Sequence, residues 1–450
     1  MIVTRFAPSP TGRLHVGNVR TALLNWLLAR KVGGRFLLRL DDTDTARSTE
    51  AFAQSIRDDL GWLGMAPDAE EKQSARMARY EEVLAALAAA GHAYRAYETP
   101  EELDLKRKVL LGRGLPPVYD RAALALTDAD HGRFEAEGRR PHWRFRLDQA
   151  LPHAWTDLVR GPSRIDVPSL SDPVIRRADG SWLYMLPSVI DDVDMGVTHV
   201  VRGEDHVTNT GIQLQMFAAL AALGTGGRTD LDAPFPQFGH AALLTGAEGA
   251  LSKRLGSIGV SEFRDRGIEP IAVKALLARL GTSLPVEPVT SDAPLIQGFE
   301  IGNLGRATAR FDEAELERLN AAILHQMEHA DVAGRTSLTE AEWNALRGNI
   351  ASIAEAEQWR AVIHGRIDAP AQPDEDRAFL AVAAQTLEGL PFDGNVWAAL
   401  TDALKLSTGR KGKALFMPLR LALMGTSTGP DMGAFLPLIG RDEALRRLLA

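Results

Sequence analysis

The sequence of 450 residues contains no cysteine. This absence excludes disulfide bonds, catalysis by a thiolate, and zinc or iron–sulfur sites that depend on cysteine ligands. The sequence also lacks an uninterrupted apolar run that could span a bilayer. Its first residues, MIVTRFAPSP, lack the basic and apolar regions of a signal peptide. We therefore expect a cytoplasmic protein without membrane contact.

The overall composition is that of an ordinary globular protein, with 45% apolar and 24% charged residues. A chain of this length predicts about two to four domains. The formal net charge is −8, so a nucleic acid would have to bind to local basic surfaces against an unfavourable overall field. Basic clusters occur at residues 106–108, 139–140, 144–146, 176–177 and 410–413.

The order of the predicted elements indicates a parallel α/β sheet that is interrupted by an insertion and followed by a helical region. Apolar patterning predicts strands at 2–7 and 36–40 and helices at 18–31 and 76–90. Ser48 is the predicted cap of a further helix after residue 48. Further strands are predicted at residues 142–147, 182–186 and 198–202, and further helices at 101–109, 313–324, 339–356, 377–387 and 396–407.

The most informative motif joins the first strand to the first helix and contains RFAPSPTGRLHVGN, residues 5–18. A helix N-terminus offers free N–H groups and the positive end of the helix dipole, which suit an anionic phosphate. Gly12 and Gly17 allow the backbone to approach a ligand closely, and the His15 ring can donate to phosphate oxygens. An ordinary capped turn is the alternative, but the complete run from strand to helix favours a phosphate site.

A second motif, GALSKRLG, occupies residues 249–256. Lys253 would place its ammonium against phosphate oxygens as their negative charge increases, and the glycines on either side can act as hinges. An SKR sequence by itself would be an ordinary basic surface loop.

Four separated segments, in the same order, resemble the signatures of class I aminoacyl-tRNA synthetases in their glutamyl form. They are RFAPSPTGRLHVGN (5–18), GRFLLRLDDTD (34–44), DDVDMGVTHVVRGEDH (191–206) and LSKR (251–254). The glutaminyl sister family usually has a PEPNG-type sequence where this chain has PSPTG. The resemblance implies an ATP-dependent ligation of L-glutamate to tRNA(Glu) through a glutamyl-adenylate, with release of AMP and pyrophosphate.

The resemblance also implies a division of the chain. A Rossmann-like catalytic domain would occupy residues 1–98 and 182–258, interrupted at 99–181 by a domain that binds the acceptor end of tRNA. A linking helical region that contacts the tRNA stem would follow at 259–310, and an all-α anticodon-binding domain would occupy 311–450.

The predicted site residues fall into three sets. Buried charges need partners, so Arg5 and Arg202 are natural clamps for carboxylates. Arg202 favours glutamate over glutamine because a guanidinium only donates hydrogen bonds. The resemblance implies a glutamate-binding set of Arg5, Ala7, Ser9, Asp41, Tyr184 and Arg202. It implies an ATP-binding set of Pro8, Ser9, Gly12, His15, Gly17, Asn18, Asp205, His206, Ser252 and Lys253, and the catalytic residues His15, Lys253 and Arg254.

Three positions depart from the family pattern. Asp41 stands where glutamate is usual, Ser188 where asparagine is common, and Ala250 where a lysine precedes the LSKR run. The shorter Asp41 withdraws its carboxylate by one carbon–carbon bond, ~1.5 Å. Ala250 removes one cation from the phosphate loop.

The implied cofactor is ATP with Mg²⁺, which would arrive with the nucleotide because no all-protein metal cage is evident. No metal site is predicted, and the cysteine-ligated zinc of many family members cannot form in this chain. The implied partners are L-glutamate, ATP and tRNA(Glu), with tRNA(Gln) left open, and the expected oligomeric state is a monomer.

Three other functions stay open. A glutamyl-queuosine tRNA(Asp) synthetase-like paralogue, which glutamylates a modified base, resembles the catalytic half but typically lacks the long helical region present here. Smaller class I-like nucleotidyltransferases share the histidine–glycine loop but not Arg202. A non-catalytic tRNA-binding relative gains slight support from Ala250, but the retained His15 and Lys253 argue against it.

Overall fold

The computed structural model describes residues 1–150, 153–224, 235–246, 249–250 and 259–450. The chain forms two compact units. One comprises Met1–Glu262, Lys274–Val286 and Ser291–Asp312, and the other Phe263–Val273, Glu287–Thr290 and Glu313–Ala450. The first unit is built around a parallel sheet and the second is helical, which confirms the predicted fold class. The predicted borders of the inserted domain lie inside the first unit and stay a prediction.

The strands and helices have the following bounds. The strands are β1 (Val3–Phe6), β2 (Arg35–Leu40), β3 (Ala69–Lys72), β4 (Ala93–Ala96), β5 (His142–Phe145), β6 (His153–Asp157), β7 (Gly161–Ile165), β8 (Val174–Arg176), β9 (His199–Gly203), β10 (Gln237–Ala241), β11 (Leu244–Gly246), β12 (Gly249–Ala250) and β13 (Ala309–Arg310). The helices are α1 (Val16–Lys31), α2 (Glu50–Trp62), α3 (Met77–Ala89), α4 (Pro100–Gly112), α5 (Asp128–Ala136), α6 (Met185–Asp194), α7 (Val207–Ala222), α8 (Val260–Asp265), α9 (Pro270–Arg279), α10 (Ala293–Gln297), α11 (Glu313–Leu324), α12 (His329–Val332), α13 (Glu340–Leu346), α14 (Ile353–His364), α15 (Asp374–Glu388), α16 (Val396–Thr408), α17 (Lys413–Met424), α18 (Met432–Ile439) and α19 (Arg441–Leu448). Within the described ranges, no helix has the length and apolar composition needed to cross a bilayer.

A five-stranded parallel sheet in the order β10-β9-β1-β2-β3 forms the centre of the first unit. Parallel neighbours require a crossover connection. Helix α1 connects β1 to β2, its neighbour in one direction along the sheet. Helix α7 connects β9 to β10, which lies in the opposite direction. The strand order therefore reverses between β1 and β9. Such a switch point opens a crevice at the carboxyl ends of the strands, where ligands bind in open α/β sheets.

The core of the first unit forms where α6 and α7 pack with this sheet. Leu37 and Val200 contribute from the strands, and Leu186, Ile190 and Phe217 contribute from the helices. Each of these side chains is at most 5% exposed, so their burial stabilises the sheet by about 1.5–3 kcal/mol per large side chain. This packing fixes the strand ends that carry the predicted site residues.

The segment predicted as an insertion contributes β5 and β8, which form an antiparallel sheet with β4 from just before residue 99, and the antiparallel hairpin β6–β7. The tip of the hairpin lies against β10, the edge strand of the parallel sheet, where Leu158 N donates to Phe238 O at 2.8 Å. The edge of the parallel sheet is thereby partly covered.

The predicted strand at residues 182–186 is wrong. Trp182 forms only an isolated bridge with Arg176, and α6 begins at Met185. Its apolar residues Leu186, Val189 and Ile190 recur at helical spacing, which outweighs the short alternation before them.

Two helix predictions also need correction. The predicted helix at 339–356 is two helices, because α13 ends at Leu346 and Ser352 caps α14 by accepting from Glu355 N at 3.1 Å. The cap of α2 is Thr49 and not Ser48, since Thr49 Oγ1 accepts from Phe52 N at 3.2 Å. Adjacent hydroxyl residues offer the same capping chemistry, so sequence alone does not choose between them.

Candidate active site

A cavity of about 830 Å³ opens at the carboxyl ends of β1, β2 and β9, beside the point where the strand order reverses. Its lining includes nearly all the predicted site residues that the structure describes: Arg5, Ala7, Pro8, Ser9, His15, Gly17, Asn18, Asp41, Tyr184, Arg202, Asp205 and His206. Gly12 lies in the turn before α1 and does not line the cavity. Ser252, Lys253 and Arg254 lie outside the described residues.

His15 is the N-cap of α1. Its Nδ1 accepts from Gly17 N at 3.1 Å and from Asn18 N at 3.4 Å, while Asn18 Oδ1 accepts from His15 N at 3.3 Å. Two N–H groups that a phosphate could use therefore already have an acceptor. Burial lowers the pKa of His15, so the neutral ring carries its proton on Nε2. That nitrogen and the helix dipole are what the loop offers to an anion.

Arg5 and Arg39 share one buried carboxylate. Arg5 Nε donates to Asp192 Oδ1 at 3.1 Å, and Arg39 Nη1 donates to the same oxygen at 2.7 Å. Although burial raises the pKa of Asp192, Arg5 and Arg39 together hold it below its usual value. Within the described part of the chain, the two terminal nitrogens of Arg5 form no hydrogen bond, so they can receive a ligand.

Arg39 holds Asp41 through two hydrogen bonds. Arg39 Nε donates to Asp41 Oδ1 at 2.7 Å, and Arg39 Nη2 donates to Asp41 Oδ2 at 3.2 Å. The Asp41 side chain retains 10% exposure, at the cavity wall. A carboxylate has about four acceptor positions, so Asp41 can still accept from a ligand ammonium.

Arg202 is buried at the end of β9 and meets only neutral partners. Its Nη2 donates to Thr210 Oγ1 at 2.6 Å and to Gln213 Oε1 at 2.7 Å, and its Nε donates to His240 Nε2 at 3.4 Å. No carboxylate forms an ion pair with it in the ranges that the structure covers. Burial and the neighbouring Arg5 lower the pKa of Arg202 to about 10, which leaves it charged at neutral pH. The cavity wall thus carries a positive charge that Asp192 and Asp205 influence only at a distance and that no described carboxylate pairs with directly.

The remaining wall is partly aromatic. The Tyr184 ring, which is 37% exposed, meets the His206 ring edge-on at a centroid distance of 6.1 Å. Behind it, the Ser188 carbonyl accepts from Arg39 Nη1 at 3.4 Å. The described residues contain no cluster of three or more His, Asp or Glu side chains that could hold a metal ion.

The site also depends on residues that sequence reasoning missed. Arg39 and Asp192 both stand within the quoted segments. Arg39 is flanked by Leu38 and Leu40, and a charged residue in an apolar strand needs a partner when it is buried, so its position was an available signal. Asp192 lies in the acidic run DDVD at residues 191–194, and its neighbours did not distinguish it. Asp157 and His240, which form a buried pair behind Arg202, gave no comparable signal.

Comparison with known proteins shows the family of the chain. Residues 1–318 match the family described as tRNA synthetases class I (E and Q), catalytic domain, and residues 366–450 match an anticodon binding domain. The chain is 63% identical to Glutamate–tRNA ligase 1 of Rhizorhabdus wittichii, over all of this chain and 99% of that protein. It is 60% identical to Glutamate–tRNA ligase 1 of Novosphingobium aromaticivorans, over all of this chain and 99% of that protein.

A solved structure extends the likeness to three dimensions. The crystal structure of a glutamate tRNA ligase from Elizabethkingia meningosepticum CCUG26117 in complex with its amino acid superposes with a TM-score of 0.83 at 25% identity. The match covers 99% of this chain and 98% of that one. The chain therefore belongs to the family of class I tRNA synthetases (E and Q).

Proposed function

We propose that the protein uses ATP to join L-glutamate to tRNA(Glu). In the first step the α-carboxylate of glutamate attacks the α-phosphate of ATP, which yields glutamyl-adenylate and pyrophosphate. In the second step the 2′-hydroxyl of the terminal adenosine of tRNA attacks the activated carbonyl and displaces AMP. Family membership and the names of the relatives support this assignment.

The observation that carries the proposal is the positive charge of Arg202, which forms no ion pair with any residue that the structure describes. A buried charge without a counter-ion is costly, and here the guanidinium faces a cavity that can admit an anion. A carboxylate would neutralise it, whereas the amide of glutamine would not. Arg5 offers a second set of donors nearby, and Asp41 offers acceptors for an ammonium. The site thus supplies complementary partners for every charged group of glutamate.

The ATP side rests on the phosphate loop. His15 Nε2 would donate to a phosphate oxygen, while Ser252, Lys253 and Arg254 would add donors and positive charge as pyrophosphate departs. The other proposed contacts to the nucleotide are Pro8, Ser9, Gly12, Gly17, Asn18, Asp205 and His206. Mg²⁺ would enter as MgATP, and its charge would offset that of the phosphates. No protein nucleophile is required, because positioning and charge stabilisation suffice.

The tRNA would be bound by both units. We propose that residues 99–181 contact the acceptor end, residues 259–310 the stem, and residues 311–450 the anticodon. The match of residues 366–450 to an anticodon binding domain supports the last assignment. Local basic clusters would supply the phosphate contacts.

An exchange assay tests the amino-acid assignment. The protein, MgATP and labelled pyrophosphate are incubated with L-glutamate or L-glutamine, with tRNA(Glu) present because the family often requires tRNA for activation. We expect exchange with glutamate and at least a hundredfold less, by order of magnitude, with glutamine. Equal exchange with both amino acids, or none with glutamate, would refute the proposal.

A charging assay tests the tRNA assignment. An unmodified tRNA(Glu) transcript should accept glutamate at its 3′ end. Because this transcript has no modified base, its charging would exclude the glutamyl-queuosine alternative. Parallel reactions with tRNA(Gln) and tRNA(Asp) transcripts measure the isoacceptor range directly.

A further inference from the structure

One aspartate at the tip of the β6–β7 hairpin contacts β10, whose last residue, Ala241, lines the cavity. Leu158 N donates to Phe238 O at 2.8 Å, which joins the hairpin to β10. Asp157 Oδ1 accepts from three backbone groups: Val159 N at 3.0 Å, Arg160 N at 2.9 Å and His240 N at 3.1 Å. Its side chain is completely buried. The carboxylate is therefore fixed in position relative to both the hairpin turn and β10.

This carboxylate sets the tautomer of His240. The two residues are joined at 2.5 Å between His240 Nδ1 and Asp157 Oδ2. Although burial raises the pKa of Asp157, the hydrogen bonds from His240 and from the backbone hold it below its usual value. An ionised carboxylate only accepts, so the His240 proton must lie on Nδ1. His240 Nε2 is consequently an acceptor.

Thr210 links His240 to Arg202 through its hydroxyl group. The Thr210 hydroxyl lies 2.8 Å from His240 Nε2 and 3.4 Å from the His206 carbonyl oxygen. Because Nε2 is an acceptor and the contact to it is shorter, we assign the single hydroxyl proton to His240 Nε2. The hydroxyl oxygen then accepts from Arg202 Nη2 at 2.6 Å, while Arg202 Nε also donates to His240 Nε2 at 3.4 Å. With Thr210 at 0% and Arg202 at 9% exposure, water has little access to replace these bonds.

These bonds leave one end of Arg202 for a ligand. A guanidinium has five N–H groups. Nε directs one to His240, and Nη2 directs two to Thr210 and Gln213. Nη1 has no hydrogen-bond partner among the described residues, so its two N–H groups remain. The chain of contacts therefore determines which edge of the guanidinium faces the cavity.

We propose that Asp157, His240 and Thr210 are positioning residues, which hold Arg202 in the orientation that binds the side-chain carboxylate of glutamate. This inference rests on the proposed function. It assigns to the hairpin of the 99–181 segment a role in amino-acid recognition, separate from any contact with tRNA. A second link strengthens the connection, because Arg160 Nη1 donates to Glu204 Oε2 at 2.7 Å beside the end of β9.

The test compares Thr210→Val with Thr210→Ser in the tRNA-containing exchange assay. Valine keeps the shape but loses the hydroxyl, so the KM for glutamate should rise about tenfold, while the KM for ATP changes less than about twofold. Serine keeps the hydroxyl and should restore the wild-type KM for glutamate. Ile165→Ala is the control, because Ile165 packs the same hairpin against Gly211 and takes no part in the hydrogen bonds of Arg202. This variant should lower thermal stability and leave both KM values unchanged.

Asp157→Asn provides a second variant if Thr210→Val does not fold. Its amide can donate to His240 Nδ1 and favour the other tautomer, so it should give the same selective rise in the KM for glutamate. The inference is overturned if the variant that folds leaves the KM for glutamate unchanged or raises both KM values alike, or if serine fails to restore binding. Failure of the proposed function is distinguishable, since the wild-type protein would then show no glutamate-dependent exchange.

Discussion

Arg5 and Asp192 form a buried ion pair in which Arg5 Nε donates to Asp192 Oδ1 at 3.1 Å. Their side chains are 6% and 4% exposed. The pair joins the first strand of the sheet to α6, 187 residues later in the chain. Asp192 accepts only from Nε of Arg5. It therefore orients the Arg5 side chain and leaves the two terminal nitrogens of Arg5 available at the cavity.

Replacing Asp192 with asparagine should damage stability and glutamate binding together. The change leaves two buried guanidinium groups with less compensation, so we expect the free energy of unfolding to fall by about 3 kcal/mol. The KM for glutamate should rise by about tenfold, since Arg5 loses its orienting partner. Urea unfolding and the exchange assay measure the two effects.

The control is Asp194→Asn, on the same helix. Asp194 pairs with Arg76 and Arg79 and does not line the cavity. Asp194→Asn should lower the free energy of unfolding by about 1 kcal/mol or less and leave the KM for glutamate unchanged. Equal effects of the two variants on the KM would contradict the role of Asp192.

The stabilising effect of Asp192 should depend on pH. Its pKa in the folded protein lies below 3.8, the ordinary value, because Arg5 and Arg39 outweigh the effect of burial. Its contribution is therefore complete above the unfolded pKa and is lost as pH falls through the folded pKa. The difference in unfolding free energy between the wild type and Asp192→Asn should be constant from about pH 7 to about pH 5 and shrink below about pH 4. A difference that grows on acidification would contradict this sign.

Much of this arrangement followed from the sequence. The strand–loop–helix motif and the arginine at a strand end placed Arg5, His15 and Arg202 together, because carboxyl ends of parallel strands share one edge. The residues that support Arg202 could not be predicted from the sequence. Thr210 and His240 contact Arg202 only through the register of β9 with β10 and the packing of α7, which depends on tertiary structure. The helical start of α6 was missed because a short apolar run fits a strand and a helix equally well.

Substitutions of His15 should separate its role as the N-cap of α1 from its proposed role as a donor to phosphate. Asparagine is a good N-cap, so His15→Asn should keep the bonds to Gly17 N and Asn18 N while removing the Nε2 donor. We expect kcat to fall by about 100-fold, with the free energy of unfolding within about 0.5 kcal/mol of wild type. His15→Ala should lose the same activity and also about 1 kcal/mol of stability. An asparagine variant with wild-type kcat would show that Nε2 has no part in the reaction.

Lys253 should act on turnover and not on tRNA affinity. Its ammonium is proposed to stabilise charge that develops only as pyrophosphate leaves, so Lys253→Ala should lower kcat by about 10²–10³-fold. The Kd for tRNA should change by less than about twofold. Steady-state charging and filter binding measure the two quantities. Lys253→Arg keeps the charge, so its kcat should lie between those of the wild type and Lys253→Ala. Unchanged turnover in Lys253→Ala would rule out the role.

The basic cluster at residues 410–413 divides into structural and exposed members. Arg410 is only 15% exposed and pairs with Glu375 and Asp376, so its charge is used within the helical unit. Lys411 and Lys413 are exposed and form no ion pair within the described ranges. They are the members that can meet a phosphate of tRNA.

Charge reversal at both exposed lysines should therefore weaken tRNA binding in a salt-dependent way. Because each phosphate contact releases a counter-ion, Lys411→Glu/Lys413→Glu should raise the KM for tRNA about tenfold at low salt and reduce the slope of log KM against log salt by about 1–2. The KM for glutamate should not change. Lys405→Glu is the matched control, since Lys405 already pairs with Asp402 on the same unit; its effect on the salt slope should be smaller. If the double variant keeps the wild-type KM for tRNA at low salt, these lysines do not contact the nucleic acid.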